Sequence, residues 1–264
     1  MYEFTYHKAD SVADAAAKVQ GADDGVLMAG GMTLIPTLKQ RLAMPSDVVD
    51  LGGVADMKGI SVSGGVVSIG AMTTHDTVAN SADVKGAIPA LAALAGGFGD
   101  PMVRNRGTIG GSIANNDPAA DYPAAVLGLG ATIVTDKREI AGDDFFTGMF
   151  ETALEPGEVI TRIDFPVPAK AAYVKFPNPA SRYAIVGVMV AQTSGGVRVA
   201  VTGAAPSVFR ASEMEAALAG NFSAGALDGM SADASGLNAD IHASAEYRAH
   251  LVGVMARRAV AACG

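Results

Sequence analysis

The stretch Thr108–Pro123 reads TIGGSIANNDPAADYP, with two adjacent glycines, two aspartates and no lysine or arginine. A second paired glycine stands in MAGGMTLIP, Met28–Pro36. Paired glycines permit positive φ and let a bulky ligand approach the main chain without meeting a Cβ. Successive free N–H groups in such a turn form a concavity that holds an anion. A helix behind the turn adds the attraction of its N-terminus. Gly30-Gly31 has that setting. The strand-like GVLMA (Gly25–Ala29) precedes it and LIPTLKQRL follows, with Thr33 expected as the helix cap and Pro36 harmless in the first turn. Gly110-Gly111 adds the hydroxyls of Thr108 and Ser112. Two such turns suit a diphosphate held by main-chain donors, and basic residues are then not needed.

The plain alternative is that these glycines are turns or close-packing points. The chain has 32 glycines, with further pairs beginning at 52, 64, 96 and 195, so pairing alone leaves both readings open. Other nucleotide loops are missing. GLGATI (Gly128–Ile133) lacks the third glycine of GxGxxG and precedes a strand, and no GxxxxGK[ST] occurs. A Rossmann domain is not expected.

Composition narrows the function classes. In 264 residues half are apolar and 17% are charged, which fits a compact globule of two or three subdomains. A net charge of −8 without basic clusters argues against a nucleic-acid partner. The start, MYEFTYHKAD, shows no secretory signal, and no apolar run approaches the ~20 residues of a membrane span. A cytoplasmic location is the expectation. The single cysteine, Cys263, can form neither a disulfide framework nor an iron–sulfur site, and the four histidines have no ligand spacing. No metal is expected. Redox chemistry here would need an organic cofactor.

The elements alternate along the chain. SVADAAAKVQ (Ser11–Gln20) reads as a helix capped by Ser11. Gly25–Ala29 and Val48–Leu51 read as strands. Ile60–Val62 and Val66–Gly70 form a hairpin around Gly64-Gly65. A helix starts at Thr73–Asp76, and Ile88–Ala95 is another. Thr108–Ala114 reads as strand or turn, Pro118–Leu129 as largely helical, Ala131–Thr135 and Val159–Phe165 as strands. Pro166 and Pro168 mark a boundary. Three strands (Ala172–Phe176, Tyr183–Ala191, Val197–Gly203) then precede helices at Ala211–Ala219 and Ala243–Cys263, an α+β pattern.

MAGGMTLIPTLKQRLAMPSDVVDL, VSIGAMTTHDTV and DPMVRNRGTIGGSIANNDPAADYPA together resemble the FAD-binding medium subunit of molybdenum hydroxylases, as in aerobic carbon monoxide dehydrogenase and, more distantly, xanthine dehydrogenase. The likeness runs through the whole chain, including RASEMEAALAG and ASAEYRAHL. It implies an α+β architecture: a two-subdomain PCMH-type, vanillyl-alcohol-oxidase-like FAD-binding fold over 1–55 and 56–168, and a C-terminal α+β domain over 169–264 with a three-stranded sheet and helices.

By motif match the resemblance assigns FAD contacts to Ala29, Gly30, Gly31, Met32 and Thr33, then to Thr108, Gly110, Gly111 and Ser112. Asp121 resembles an aspartate near the ribityl–phosphate region; its alternative is a cap for DYPAAVLGL. Ile160 and Lys175 fall where relatives contact the flavin end, and Tyr183 resembles an aromatic beside the isoalloxazine. Lys175 could instead be a solvated strand lysine, and Tyr183 core packing. Arg104 and Arg106 are expected to brace the TIGG turn, and His75 to be a surface or capping residue.

The resemblance also implies no side-chain acid or base. A small subunit with [2Fe–2S] clusters and a large subunit with the molybdenum cofactor would be partners, in a dimer of heterotrimers, and electrons would leave to a quinone, NAD or oxygen. Many carbon monoxide dehydrogenase medium subunits read AGGHS and TIGGD where this chain reads AGGMT and TIGGS, which puts carbon monoxide in doubt as substrate. The rivals are a stand-alone NAD(P)H-dependent flavin reductase and a non-enzymatic scaffold that has lost FAD.

Overall fold

The computed structural model describes residues 1–263. Near the start, the Ser11 hydroxyl accepts from the Asp14 amide at 3.1 Å. That cap begins α1 (Val12–Gln20), whose Ala15, Ala16 and Val19 are buried. α1 and α2 (Leu34–Lys39) connect three parallel strands, β1 (Thr5–Lys8), β2 (Gly25–Met28) and β3 (Asp47–Asp50), in the order β1-β3-β2. Central β3 buries Val48 and Val49. Nothing in TYHK signals strand β1, because it lacks apolar alternation; its ladder to β3 makes it one. α2 is shorter than LIPTLKQRL suggests, with Arg41 beyond it at φ +60. Thr33 does not cap α2 with its side chain, and only its carbonyl takes part, accepting from the Thr37 amide.

The second unit opens with the hairpin of β4 (Ile60–Ser63) and β5 (Val66–Gly70). Gly64 and Gly65 take φ +58 and +78, the paired positive values that a tight I′ turn requires. A helical excursion follows: α3 (His75–Asn80), α4 (Ala82–Ala87), α5 (Pro89–Gly96), α6 (Pro101–Arg106), α7 (Ile109–Asn115) and α8 (Tyr122–Leu129). The chain then returns through β6 (Thr132–Thr135), β7 (Glu139–Ala141), the short α9 (Gly142–Phe145), the ribbon β8 (Phe146–Gly148) with β9 (Glu151–Thr152), and β10 (Ile160–Pro166). The main sheet is antiparallel in the order β4-β5-β10-β6-β7.

Two expectations change here. Thr108–Ala114 is helix α7 rather than strand or turn, because Thr108 caps it and Ile109 and Ile113, four residues apart, share one buried face. α8 starts at Tyr122 rather than Pro118, since Asp117 first closes a turn by accepting from the Ala119 amide. α8 is buried along its whole length. A Cβ on Gly128 would stand 2.4 Å from the Met189 Cγ. GLGATI is thus a helix–sheet contact and no nucleotide loop.

The C-terminal unit is an antiparallel meander of β11 (Lys170–Pro177), β12 (Ala184–Thr193), β13 (Gly196–Thr202) and β14 (Phe209–Arg210), with α10 (Ser212–Gly220) and α11 (Ala245–Ala262). The two-residue β14 makes it four-stranded instead of three-stranded. Strand alternation divides the faces. Val186, Val188 and Val190 join the core with Leu251 and Met255 of α11, while Met189 and Ala191 join the core of the preceding units with α8. The meander is thereby packed onto the first two units, which carries β11 and the loop after it towards the glycine turns.

Candidate functional site

Strand β2 runs directly into the first turn. Gly31 holds φ +73, a left-handed conformation that a side chain would strain. Gly30 lies so close to the main chain of α6 that a Cβ would stand 1.9 Å from the Arg106 carbonyl oxygen. A Cβ on Gly111 would be 3.2 Å from the Ala29 Cβ and 3.0 Å from the Thr108 Oγ1. The two glycine pairs, far apart in sequence, therefore adjoin in space.

Their donors differ. The amides of Gly30, Gly31, Met32 and Thr33 make no hydrogen bond to the described residues. In the second turn the amides are engaged: Ile109 donates to the Thr73 carbonyl, Gly110 to the Ala71 carbonyl at 2.8 Å, and Ser112 to the Thr108 carbonyl. Gly111 donates to the Thr108 Oγ1 at 3.1 Å. The expectation of two amide concavities is corrected. Only the first turn offers free amides, and the second offers the Thr108 and Ser112 hydroxyls above a floor without Cβ atoms. Arg104 braces the loop before α6 rather than the TIGG turn, donating to the Phe98 carbonyl at 2.7 Å. Arg106 meets the first turn through its carbonyl, which lies against Gly30.

Both turns open into a cavity of about 860 Å³, a size suited to one extended small molecule. Ala29, Gly30, Gly31, Met32, Thr33, Thr108, Gly110, Gly111, Ser112, Asp121, Ile160 and Tyr183 all line it. Lys175 does not. Its ammonium lies behind the wall, 3.0 Å from the Asp121 Oδ2 and 3.1 Å from the Gly97 carbonyl. Asp121 is buried and makes no capping bond to α8; the Tyr173 hydroxyl donates to its Oδ1. Burial raises the Asp121 carboxyl above the ordinary carboxylate range, and the Lys175 charge and the Tyr173 and Lys175 hydrogen bonds offset that only in part. Tyr183 is 47% exposed at the cavity edge, with its hydroxyl pushed up by partial burial and by the charges of Asp117 and Asp121.

Sequence reasoning missed several wall residues. Arg182, at φ +64, donates to the Gly99 carbonyl and lines the cavity with Asn115, Asp117 and Phe98. His75 is no surface residue. It is buried in the wall, stacked on Phe98 at 4.7 Å between ring centres and tilted against Tyr122 at 5.4 Å. Burial and then the nearby Arg104 charge lower its pKa to about 4, so it is neutral near pH 7. Its position at the start of α3, behind the Thr74 cap, gave no hint that Phe98 would cover it.

Glu158 closes another part of the wall. It accepts from Arg138 through both oxygens at 3.0 Å, from the Thr135 hydroxyl and from the Glu155 amide. Arg138 chiefly holds its pKa down to about 2. A folded-state value below the ordinary one stabilises the fold above the unfolded pKa and is lost as pH falls through the folded one. Glu158→Gln should lose about 2 kcal/mol at neutral pH and lose less on acidification than the wild type. Urea midpoints measured from neutral pH down to acid check this; parallel curves would contradict it.

The geometry fits FAD on observations independent of likeness: unclaimed amides beside a glycine floor, with the Ser112 hydroxyl and the capping Thr108 hydroxyl opposite. Comparison with known proteins agrees. The family described as the FAD binding domain in molybdopterin dehydrogenase matches residues 2–168, and the CO dehydrogenase flavoprotein C-terminal domain matches residues 171–263. The nicotine 6-hydroxylase medium subunit of Paenarthrobacter nicotinovorans is 34% identical over 98% of this chain and 96% of its own length. The carbon monoxide dehydrogenase medium chain of Afipia carboxidovorans is 37% identical over 97% of this chain and 95% of its own. The crystal structure of the cyanide-inactivated Cu,Mo-CO dehydrogenase superposes with a TM-score of 0.91 at 35% identity, covering 100% of this chain and 98% of that one. The chain belongs to the FAD-binding subunits of molybdenum-containing dehydrogenases; it is an oxidoreductase subunit and FAD is its cofactor.

Proposed function

We propose that this chain is the electron-transfer subunit of a multi-subunit molybdenum hydroxylase. It takes electrons from [2Fe–2S] clusters on a small partner chain, fed by molybdenum on a large one, and passes them to an external acceptor. The observation that carries this is the meeting of the two glycine turns at one cavity wall, with four free amides on one side. Those amides and the hydroxyls of Thr33, Thr108 and Ser112 would hold the FAD diphosphate, replacing its lost hydration without cationic side chains. Asp121 would accept from a cofactor hydroxyl near the ribityl–phosphate region. Ile160 and Tyr183 would border the isoalloxazine. Lys175 would act on the site through Asp121.

Bound FAD supplies a carrier that accepts electrons singly or in pairs. This chain's share is to bind and orient it and to keep water from one side. Among the described residues no group of three or more His, Cys, Asp and Glu could hold a metal ion. No described helix is long and apolar enough to cross a membrane.

The match of residues 171–263 to a CO dehydrogenase flavoprotein domain favours this reading over a stand-alone flavin reductase. Affinity purification of the tagged chain from its source cells should bring down a cysteine-rich small chain and a large molybdenum-containing chain. Recovery of the chain alone, turning over NADPH by itself, would overturn the proposal.

A further inference from the structure

Two side chains of β11, Tyr173 and Lys175, stand two residues apart and so project from one strand face. That face meets the cavity wall across the boundary between the units. Tyr173 donates to one oxygen of Asp121 and Lys175 to the other, and Lys175 also holds the Gly97 carbonyl at 3.1 Å. The arrangement is tightly built. A Cβ on Gly187 of β12 would lie 2.2 Å from the Tyr173 hydroxyl, so glycine at 187 leaves the room in which that hydroxyl reaches Asp121. The Lys175 and Asp121 side chains are 14% and 4% exposed.

We propose that Tyr173 and Lys175 are positioning residues that keep Asp121 ionised and aimed into the cavity, so that the C-terminal unit sets how tightly the preceding units hold FAD. This rests on the proposed cofactor role of Asp121. The physical reason is that a carboxylate out of water needs a donor for each oxygen. Without them burial favours its neutral form, which donates a proton and accepts less well. Asp121 lies at the start of α8 with no capping bond to occupy it, so both oxygens answer to β11. The other titratable groups that feel its charge are Tyr183 at the cavity edge and Tyr122 on α8. Neither donates to it among the described residues.

The test uses full-length protein, with FAD affinity from quenching of flavin fluorescence across the neutral and mildly acidic range. Four proteins are compared: wild type, Tyr173→Phe, Asp121→Asn and the double variant. The wild type should lose FAD affinity only towards the acidic end of that range, because burial already raises the Asp121 carboxyl. Tyr173→Phe should bind about tenfold more weakly, with a further loss as pH falls. The double variant should be flat in pH, because no carboxyl remains at position 121 to titrate. Lys175→Met should reproduce the pH-dependent loss, which covers the case in which Tyr173→Phe does not fold. Wild-type affinity in both β11 variants, or a pH dependence that survives Asp121→Asn, would overturn the proposal. Failure of the wild-type chain to bind FAD at all would instead overturn the reading of the site.

Discussion

Gly111→Val should leave the protein folded and remove its FAD. Gly111 has no positive φ and sits in the first turn of α7, where valine and glycine differ little in helix preference. Its Cβ would press only on the Ala29 methyl at 3.2 Å and the Thr108 Oγ1 at 3.0 Å, contacts that a shift of a few tenths of an ångström relieves. The two γ-methyl groups would have to enter the floor of the cavity, where a diphosphate needs to lie against the main chain. Overfilling a packed contact costs about 1–3 kcal/mol, so affinity should fall by about a hundredfold. Titration of the apo chain with FAD, alongside a urea unfolding curve, separates the two effects. Wild-type affinity in Gly111→Val would mean that the second turn does not face the cofactor.

Gly30→Ala should damage both properties. The added carbon would stand 1.9 Å from the Arg106 oxygen, 2.6 Å from its carbonyl carbon and 2.9 Å from the Gly107 Cα. All three are backbone atoms, so no rotamer change relieves the overlap. The first turn must move off the α6–α7 connection, and a smaller residue than glycine does not exist to compensate. We expect a loss of about 3 kcal/mol in stability, with FAD retention lost as well. The contrast with Gly111→Val is the informative part, because one glycine makes room for a ligand and the other for the main chain of a neighbouring turn. An apo protein as stable as the wild type would show that the turns do not touch as described.

That division of labour could not be read from the sequence. GlyGly signals that space is needed, because the need for φ > 0 or a missing Cβ is local to the residue. It does not say what fills the space. Gly30 adjoins Arg106 and Gly110 adjoins Ala71, contacts made across long stretches of chain. The same distance hid the state of the second turn's amides, which depend on carbonyls at Ala71 and Thr73. TIGGSI itself reads both ways, since isoleucines four residues apart with β-branched flanks fit a strand as well as a helix face, and only the Thr108 cap decides.

Elements whose signals are local were legible. Ser11 capped its helix, the Gly64-Gly65 hairpin formed, and the strands Gly25–Met28, Ala184–Thr193 and Gly196–Thr202 lie where apolar runs placed them. β1 was not legible, because its residues are polar and its partner β3 supplies the reason for the strand. Nor was the tie of Asp121 to Tyr173 and Lys175, which lie more than fifty residues further along the chain and meet it only when the meander packs on α8. DPAAD drew attention to Asp121 as cap or cofactor contact; nothing in AAYVKF pointed to what would hold it.

The most direct measurement is a crystal structure of the full-length chain loaded with FAD. The diphosphate should lie within about 3 Å of the Gly30–Thr33 amides and of the Thr108 or Ser112 hydroxyl, with no guanidinium in contact. A diphosphate gripped by arginines elsewhere, or turns that have moved apart around it, would contradict the account.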